Sequence, residues 1–238
     1  MRRGHSLDPV MEGTWDSRAE AWEQVARSDA FVRFRDVLMA IASPTPGETV
    51  LDLGSGTGLL TLAAARKAGR VIALDASAEM LARTSRHAAA EGHEVELIHG
   101  DMRRIPLPDE SVDLVVSSYA FHHLGDDGKE LAAAEALRVL RPGGRIFVID
   151  MMFGLSLHRR DRRIIASKVG MLLRRGPAGV WRLGKNAVRI ARHRWEQPAS
   201  MEWWVEMLER RGFAGVEVRP LEHEAGLATG TKPAVIRH

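Results

Sequence analysis

The stretch VLDLGSGTG, residues 50–58, most constrains what this chain can fold into, because an apolar run ends there in three alternating glycines. A buried strand followed by glycines predicts a sharp turn into a helix, whose first backbone N–H groups form an anion site. In doubly wound sheets this turn lies at the carboxyl edge, where ligands bind. The spacing is G-x-G-x-G, whereas the dinucleotide fingerprint is G-x-G-x-x-G, so a nicotinamide oxidoreductase is disfavoured.

Composition limits the chemistry that the chain can perform. Of the 238 residues, 45% are apolar, which is enough for a folded core, and none is cysteine. Disulfides, cysteine nucleophiles and thiolate metal sites are therefore excluded, and we expect no metal. We find no leader-like segment and no apolar run of about 18 residues, so we expect a cytoplasmic protein.

Strands and helices alternate along the chain, which predicts the α/β class with a Rossmann-like, doubly wound, mainly parallel sheet. The predicted strands are 49–53, 71–74, 94–98, 112–117, 145–150, 216–219 and 226–235. The predicted helices are 11–42 in two pieces, 58–68, 77–90 with Ser77 as N-cap, 129–140, 157–175, 178–195 and 198–211.

We predict a single domain over residues 1–238. Its parts are an N-terminal helical cap (1–45), a core (46–150), a basic helical insert or lid before the last two strands (151–200), and a C-terminal helix with strands (201–238).

Four features in a fixed order give residues 46–150 a resemblance to the class I S-adenosylmethionine (SAM)-dependent methyltransferases. They are VLDLGSGTG, Asp75 at the end of strand two, Gly100-Asp101-Met102 after strand three, and the turn 140–144 into strand five. The subgroup resembled is the type 11, ubiquinone/menaquinone-methyltransferase-like one. The resemblance implies a seven-stranded sheet with an antiparallel last strand.

The resemblance also implies a cofactor site, with SAM as cofactor and S-adenosylhomocysteine (SAH) as product. In that family the glycine loop faces the amino-acid part of SAM, and the acid of strand two, here Asp75, binds the ribose hydroxyls. The acid after strand three, here Asp101, meets the adenine amine, and Asp52 sits beside the sulfonium. The predicted cofactor-binding residues are Asp52, Gly54, Ser55, Gly56, Thr57, Gly58, Asp75, Ala76, Met80, Asp101, Met102, Ser117, Ser118, Trp15 and Trp22.

The segment after strand four, Ser117–Leu124, carries the candidate catalytic residues, because in the family it flanks the methyl donor and the substrate. Methyl transfer needs an aligned nucleophile and sometimes a general base. His122 or His123 is a candidate base, since imidazole titrates near neutrality; packing is the alternative for both. Tyr119, the sole tyrosine, is a candidate for orienting the substrate or for core packing.

The N-terminal segment Trp15–Trp22 is similar to a Tyr-Asp-x-x-Ala-x-x-Tyr pattern of the same subgroup, with tryptophans in both aromatic places. Two aromatic residues seven positions apart share one helix face. The pattern predicts either a lid over the cofactor, in which an indole meets a cationic group, or a pair of core tryptophans.

The segment 155–195 is strongly basic, with twelve Lys or Arg and one acid, although the whole chain carries only +3. The side chains Arg182, Lys185, Arg189 and Arg192 form one stripe beside an apolar face of Trp181, Val188, Ala191 and Trp195. A solvated lid helix is one interpretation. The others are peripheral contact with an anionic membrane, an anionic small molecule, and RNA. Nucleic acid is the least favoured, since only 5% of residues are aromatic.

The sequence therefore predicts a SAM-dependent methyltransferase that acts by direct displacement on a small-molecule or lipid-like acceptor. An RNA-directed methyltransferase and a non-catalytic SAM-binding protein stay open as alternatives.

Overall fold

The computed structural model describes residues 15–154, 159–173 and 197–234. Its strands are β1 Thr49–Leu53, β2 Arg70–Asp75, β3 Glu96–His99, β4 Val112–Ser118, β5 Leu140–Met151, β6 Ala214–Pro220 and β7 Ala225–Thr231. Its helices are α1 Ala19–Ala26, α2 Asp29–Ala42, α3 Leu59–Ala65, α4 Ala78–Ala90, α5 Asp126–Val139, α6 Arg159–Leu173 and α7 Met201–Arg211. A 3₁₀ turn, Phe121–His123, follows β4.

The strands form one seven-stranded sheet in the order β3-β2-β1-β4-β5-β7-β6. The first five strands along the chain pair in parallel, whereas β7 runs antiparallel to both β5 and β6. The predicted mainly parallel sheet with an antiparallel last strand is therefore confirmed. The order reverses between β1 and β4, which opens a crevice at their carboxyl ends, where ligands bind in such folds.

Alternate residues of the central strands belong to two hydrophobic cores, one on each face of the sheet. Leu51 and Leu53 belong to the core that packs against α5 and α7, where Trp204 is fully buried. Val50 belongs to the opposite core, which packs against α2 and α3. The two cores cover both faces of the sheet. Burial of each large aliphatic side chain in them stabilises the fold by roughly 1.5–3 kcal/mol.

Capping residues explain where several helices begin. Ser77 is the N-cap of α4, as predicted, and its hydroxyl accepts a hydrogen bond from the Met80 N–H at 3.1 Å. α5 begins at Asp126, three residues earlier than predicted, with Asp126 and Asp127 in its first turn, where carboxylates favour a helix start.

The strand β5 begins at Leu140, earlier than the predicted start at residue 145. The turn that precedes the predicted strand belongs to the sheet, because Gly143 N–H donates to the Lys232 carbonyl at 2.8 Å and Lys232 N–H donates to the Gly144 carbonyl at 2.8 Å. The strand pairing with β4 is irregular between Val112 and Leu114.

The first half of the basic insert is helical, as predicted, over α6. Arg160 fixes this helix to the sheet, donating to the Met152 carbonyl at 2.6 Å and to the Ala225 carbonyl at 2.8 Å. The predicted second helix, 178–195, with its basic stripe and tryptophans, lies outside the described residues. Within the described ranges, no helix has the length and apolar content needed to cross a bilayer.

Candidate active site

The glycine loop connects β1 to α3 in a conformation that glycine tolerates best. Gly54 and Gly58 have φ values of +67° and +90°. A Cβ atom on Gly54 would lie 2.4 Å from the Ala120 Cβ, and one on Gly58 would lie 2.9 Å from Thr84 Cγ2. The loop therefore packs directly against the turn after β4, and a side chain at Gly54 would separate the two.

Several N–H groups of this loop have acceptors within the protein. Gly54 and Ser55 N–H donate to the Leu74 carbonyl at 2.8 and 3.1 Å. Gly56 N–H donates to Asp75 Oδ2 at 2.7 Å, and Gly58 N–H donates to the Ser55 carbonyl at 3.0 Å. The loop is tied to the end of β2 and presents a carboxylate in place of bare N–H groups.

Asp75 ends β2 and faces the cavity. Besides Gly56 N–H, its carboxylate accepts from the Ser77 N–H at 2.9 Å. Burial raises the pKa of Asp75, while these backbone hydrogen bonds act in the opposite direction. Two oxygens have four lone-pair positions in all, so the carboxylate has capacity for further donors.

Asp52 is almost fully buried at the end of β1, with 1% exposure. It accepts a hydrogen bond from the Thr61 hydroxyl at 2.6 Å. Burial raises the pKa of Asp52 to about 7; the Thr61 hydrogen bond opposes this shift, and the charge of Asp75 adds to it. Nearby, the Ser55 hydroxyl is buried without a hydrogen-bond partner among the described residues. This end of the site therefore has unused polar capacity.

Asp101 follows β3, and its carboxylate accepts hydrogen bonds from Arg103, two residues later. It accepts from the Arg103 N–H at 2.8 Å and from Arg103 Nε at 2.9 and 3.0 Å. Burial acts to raise the pKa of Asp101, but the Arg103 contacts outweigh it and lower the pKa overall. The carboxylate is thus held ionised by a cation that already occupies much of its accepting capacity.

Two cavities open at the carboxyl ends of β1, β2 and β4. The larger, of about 780 Å³, is lined by sixteen residues, among them nine of the predicted cofactor-binding set: Trp15, Trp22, Gly54, Gly56, Asp75, Ala76, Met80, Asp101 and Met102. The smaller, of about 420 Å³, is lined by four more of that set, which are Asp52, Ser55, Thr57 and Ser118. Trp22, Gly54 and Gly56 line both cavities.

Two predicted residues line neither cavity. Gly58 is the N-cap of α3 and packs on Thr84. Ser117 is fully buried, and its hydroxyl donates to the Leu53 carbonyl at 2.7 Å. Both positions support the loop and β1 from behind, where a ligand in either cavity does not reach.

Several lining residues were not predicted, including Leu74, Arg103 and Phe31. Arg103 could have been found, because a cation two residues after a loop carboxylate commonly pairs with it. Phe31 lies on α2 and reaches the site through tertiary packing, for which the sequence carries no local signal.

Aromatic rings form another part of the cavity wall. The Trp15 and His123 ring centroids lie 4.3 Å apart, and those of Phe31 and Tyr119 lie 4.7 Å apart. Tyr119 has φ +54°, unusual for a residue with a side chain, at the point where β4 turns into the 3₁₀ turn. Tyr119 and His123 both line the larger cavity.

The adjacent histidines occupy different environments. His122 is 2% exposed and does not line either cavity. Its Nδ1 lies 2.6 Å from Asp150 Oδ1, and its N–H donates to Asp150 Oδ2 at 3.1 Å. The structure therefore commits His122 to a buried contact with β5, away from the position that the prediction of a base requires.

His123 faces the larger cavity, and its Nε2 is buried without a hydrogen-bond partner among the described residues. Burial, and then the neighbouring His122 and Arg18, lower the pKa of His123 to about 2. The ring is therefore neutral. In the described ranges, no group of three or more His, Cys, Asp or Glu side chains is arranged to hold a metal ion.

The segment that carries the two tryptophans is fastened to α4. Asp16 accepts from the Ser77 hydroxyl and, at 3.2 Å, from the Glu79 N–H. Trp15 precedes a turn and α1 starts only at Ala19, so the prediction of one shared helix face is wrong. Trp15 and Trp22 nevertheless line the same cavity, because the turn brings Trp15 back over it.

Comparisons with known proteins agree with this geometry. The sequence model of the methyltransferase domain family matches residues 50–144. The chain is 32% identical over 201 residues to a demethylmenaquinone methyltransferase of Clavibacter sepedonicus, covering 81% of this chain and 76% of that protein.

A second relative is an uncharacterized 37.1 kDa protein in transposon TN4556 of Streptomyces fradiae, 38% identical over 153 residues. That match covers 61% of this chain and 43% of the relative, so the chain spans less than half of its length. Among solved structures, a Haemonchus contortus N-methyltransferase in complex with phosphomonomethylethanolamine and SAH superposes with a TM-score of 0.69 at 16% identity. It covers 98% of this chain and 61% of that one, a likeness of fold.

Proposed function

Because the chain belongs to the class I SAM-dependent methyltransferases, we propose that it transfers the methyl group of SAM to a small-molecule or lipid-like acceptor. The observation that supports this proposal is that several predicted cofactor residues and two of the candidate catalytic residues line one cavity. Asp75 and Asp101, which the family pattern assigns to the cofactor, line the same cavity as Tyr119 and His123.

The residues present are chemically suited to SAM. Asp75 has accepting capacity for ribose hydroxyls, and Met80 and Met102 offer soft apolar surfaces to a flat base. The unpartnered Ser55 hydroxyl and the Asp52 carboxyl line the smaller cavity, where they would meet the polar amino-acid end. When bound, SAM supplies an electrophilic methyl group on a sulfonium sulfur, and the protein aligns the acceptor and excludes water.

The apolar residues that line the same cavity support the proposed acceptor class. Trp15, Tyr119 and Leu124 present rings and aliphatic carbon, which suits an apolar metabolite better than a polar macromolecule. The name of the Clavibacter relative, demethylmenaquinone methyltransferase, also favours a small lipid-like acceptor. Peripheral membrane contact through 155–195 remains part of this proposal; in its described part, Arg162 and Arg163 are exposed on α6.

Calorimetric titration with SAM, SAH and NAD tests the cofactor assignment. We expect micromolar binding of SAM and SAH and none of NAD, because the cavity offers the ribose acid but not the dinucleotide glycine spacing. Binding of NAD alone would overturn the proposal.

A second assay separates an enzyme from a non-catalytic SAM-binding protein. The full-length protein is incubated with methyl-labelled SAM and a panel of phenols, quinols and lipid extracts, and label in the organic phase is counted. Asp127→Asn, an exposed change at the start of α5, serves as a matched control that keeps parental transfer. Tight SAM binding without transfer to any acceptor would point to a binding protein.

A further inference from the structure

The half of the larger cavity at the end of β4 differs from the half at the ends of β2 and β3. Charged side chains line the β2–β3 half, where Asp75, Asp101 and Arg103 lie. The β4 half is lined by Tyr119, Ala120, His123 and Leu124, with Trp15 against His123.

His123 Nε2 is the unexplained polar atom on this side. It is buried and lacks a hydrogen-bond partner among the described residues. A buried polar atom left unpaired is destabilising, and such atoms in native proteins call for a missing partner. Because burial lowers the pKa of His123 to about 2, the ring stays neutral across the physiological range.

The ring is also held in a fixed position. The His122 ring lies 3.8 Å from it, between centroids, and His122 is itself fixed by the 2.6 Å contact with Asp150. The Trp15 indole also lies against it, with 4.3 Å between the ring centroids. His123 therefore offers one neutral nitrogen at a defined place beside two other rings.

We propose that this half of the cavity binds a flat aromatic compound through a hydroxyl group that hydrogen-bonds to His123 Nε2. The inference rests on the proposed function, for which it names the acceptor class. A hydroxyl both donates and accepts, so it satisfies Nε2 in either neutral tautomer. The aromatic rings of Trp15 and Tyr119 suit a flat ring by stacking or edge contact.

The position of Trp15 adds a consequence. Trp15 lies against the His123 ring, with 4.3 Å between the ring centroids. Binding of the aromatic compound therefore changes the environment of Trp15, and the change is absent in Trp15→Phe.

The test uses the full chain saturated with SAH and a matched pair of probes, 4-nitrophenol and 4-nitroanisole, in acidic buffer where the phenol is un-ionised. The two differ in whether the oxygen carries a proton. We expect the phenol to bind about tenfold more tightly than the ether, as one buried hydrogen bond implies. His123→Phe should reduce that preference to about twofold or less while SAH affinity is kept.

His93→Phe is the matched control, because His93 lies outside both active-site cavities, and it should retain the parental preference. Equal binding of phenol and ether by the parent would overturn the inference. So would a full preference in His123→Phe. Failure of SAH itself to bind the parent would instead reject the proposed function, so the two failures are distinguishable.

Discussion

The two sides of the cavity are built in different ways. The β2–β3 side is made of carboxylates held by neighbouring backbone groups, as Asp75 is held by Gly56 and Ser77. The β4 side is made of rings that pack on one another, such as Trp15 on His123. The first side can match the hydroxyls and amines of a polar ligand, whereas the second side excludes water. A methyl-transfer site needs both properties, on opposite sides of the reacting atoms.

The contrast extends to how burial acts on the titratable groups. Burial raises the pKa of Asp52 to about 7 and lowers the pKa of His123 to about 2. In both cases burial penalises the charged form, so it favours the neutral form of these two groups. A cationic ligand would reverse this preference for Asp52 and reinforce it for His123.

The largest expected effect tests the burial of Asp52. Its pKa in the folded state, about 7, lies above its ordinary value of 3.8. The folded protein therefore holds this proton longer than the unfolded chain as pH rises. The Asp52 contribution is zero at acid pH and becomes destabilising through the window between the two pKa values, by about 4 kcal/mol in the free energy of unfolding.

Urea unfolding of the parent and of Asp52→Asn, from about pH 4 to about pH 8, measures this difference. The parent should lose stability relative to the variant as pH rises, and the gap should stop growing above pH 7. Asp127→Asn, at an exposed carboxylate, should track the parent. A pH-independent gap between parent and Asp52→Asn would contradict the burial argument.

The second prediction concerns the boundary between the two sides. Gly54→Ala places a Cβ 2.4 Å from that of Ala120 and strains a φ of +67°. Steric overlap and backbone strain together should lower the free energy of unfolding by about 3 kcal/mol. Gly143→Ala is the matched control, with φ +81° and nothing within 4 Å, so it reports strain alone, about 1 kcal/mol. Equal losses in the two variants would show that the loop and the turn do not press together.

The third prediction addresses the carboxylate side alone. Asp75→Ala removes the proposed partner of the ribose hydroxyls and also releases the Gly56 N–H. SAM affinity measured by calorimetry should fall at least about tenfold, or about 1.4 kcal/mol. Asp127→Ala should leave it unchanged. An unaltered affinity in Asp75→Ala would reject the ribose role.

The contrast between the two sides also separates what the sequence could predict from what it could not. β1, the Ser77 cap and the positions of Asp75 and Asp101 follow from local patterns, since a strand end and its loop lie close along the chain. The contact of His122 with Asp150 joins residues 28 positions apart, and no pattern within either segment indicates it. The ring side depends on such tertiary contacts, which is why its residues were only partly predicted.

Even on the carboxylate side, the hydrogen-bond partners of the glycine-loop N–H groups were not predicted. The glycine spacing indicated a sharp loop correctly, but not that its N–H groups turn back to Leu74 and Asp75. A motif specifies where the backbone can bend. Which acceptor each N–H finds depends on the neighbouring strand.

The smallest expected effect tests how the ring side is attached. Asp16 joins the Trp15 segment to α4 through the Ser77 hydroxyl and the Glu79 N–H. Asp16→Ala removes both contacts without touching either cavity, so Trp15 should cover the site less of the time. Loss of about 1 kcal/mol of hydrogen bonding should speed SAH release about fivefold in stopped-flow fluorescence.

Glu20→Ala is the matched control, because Glu20 lies on α1 with an exposed side chain. If release from Asp16→Ala matches that from Glu20→Ala, Trp15 is held by ring packing on His123 and not by the contacts to α4. In that case the ring side organises itself independently of the carboxylate side. If release is faster only in Asp16→Ala, then the contacts of Asp16 with the start of α4 couple the two sides.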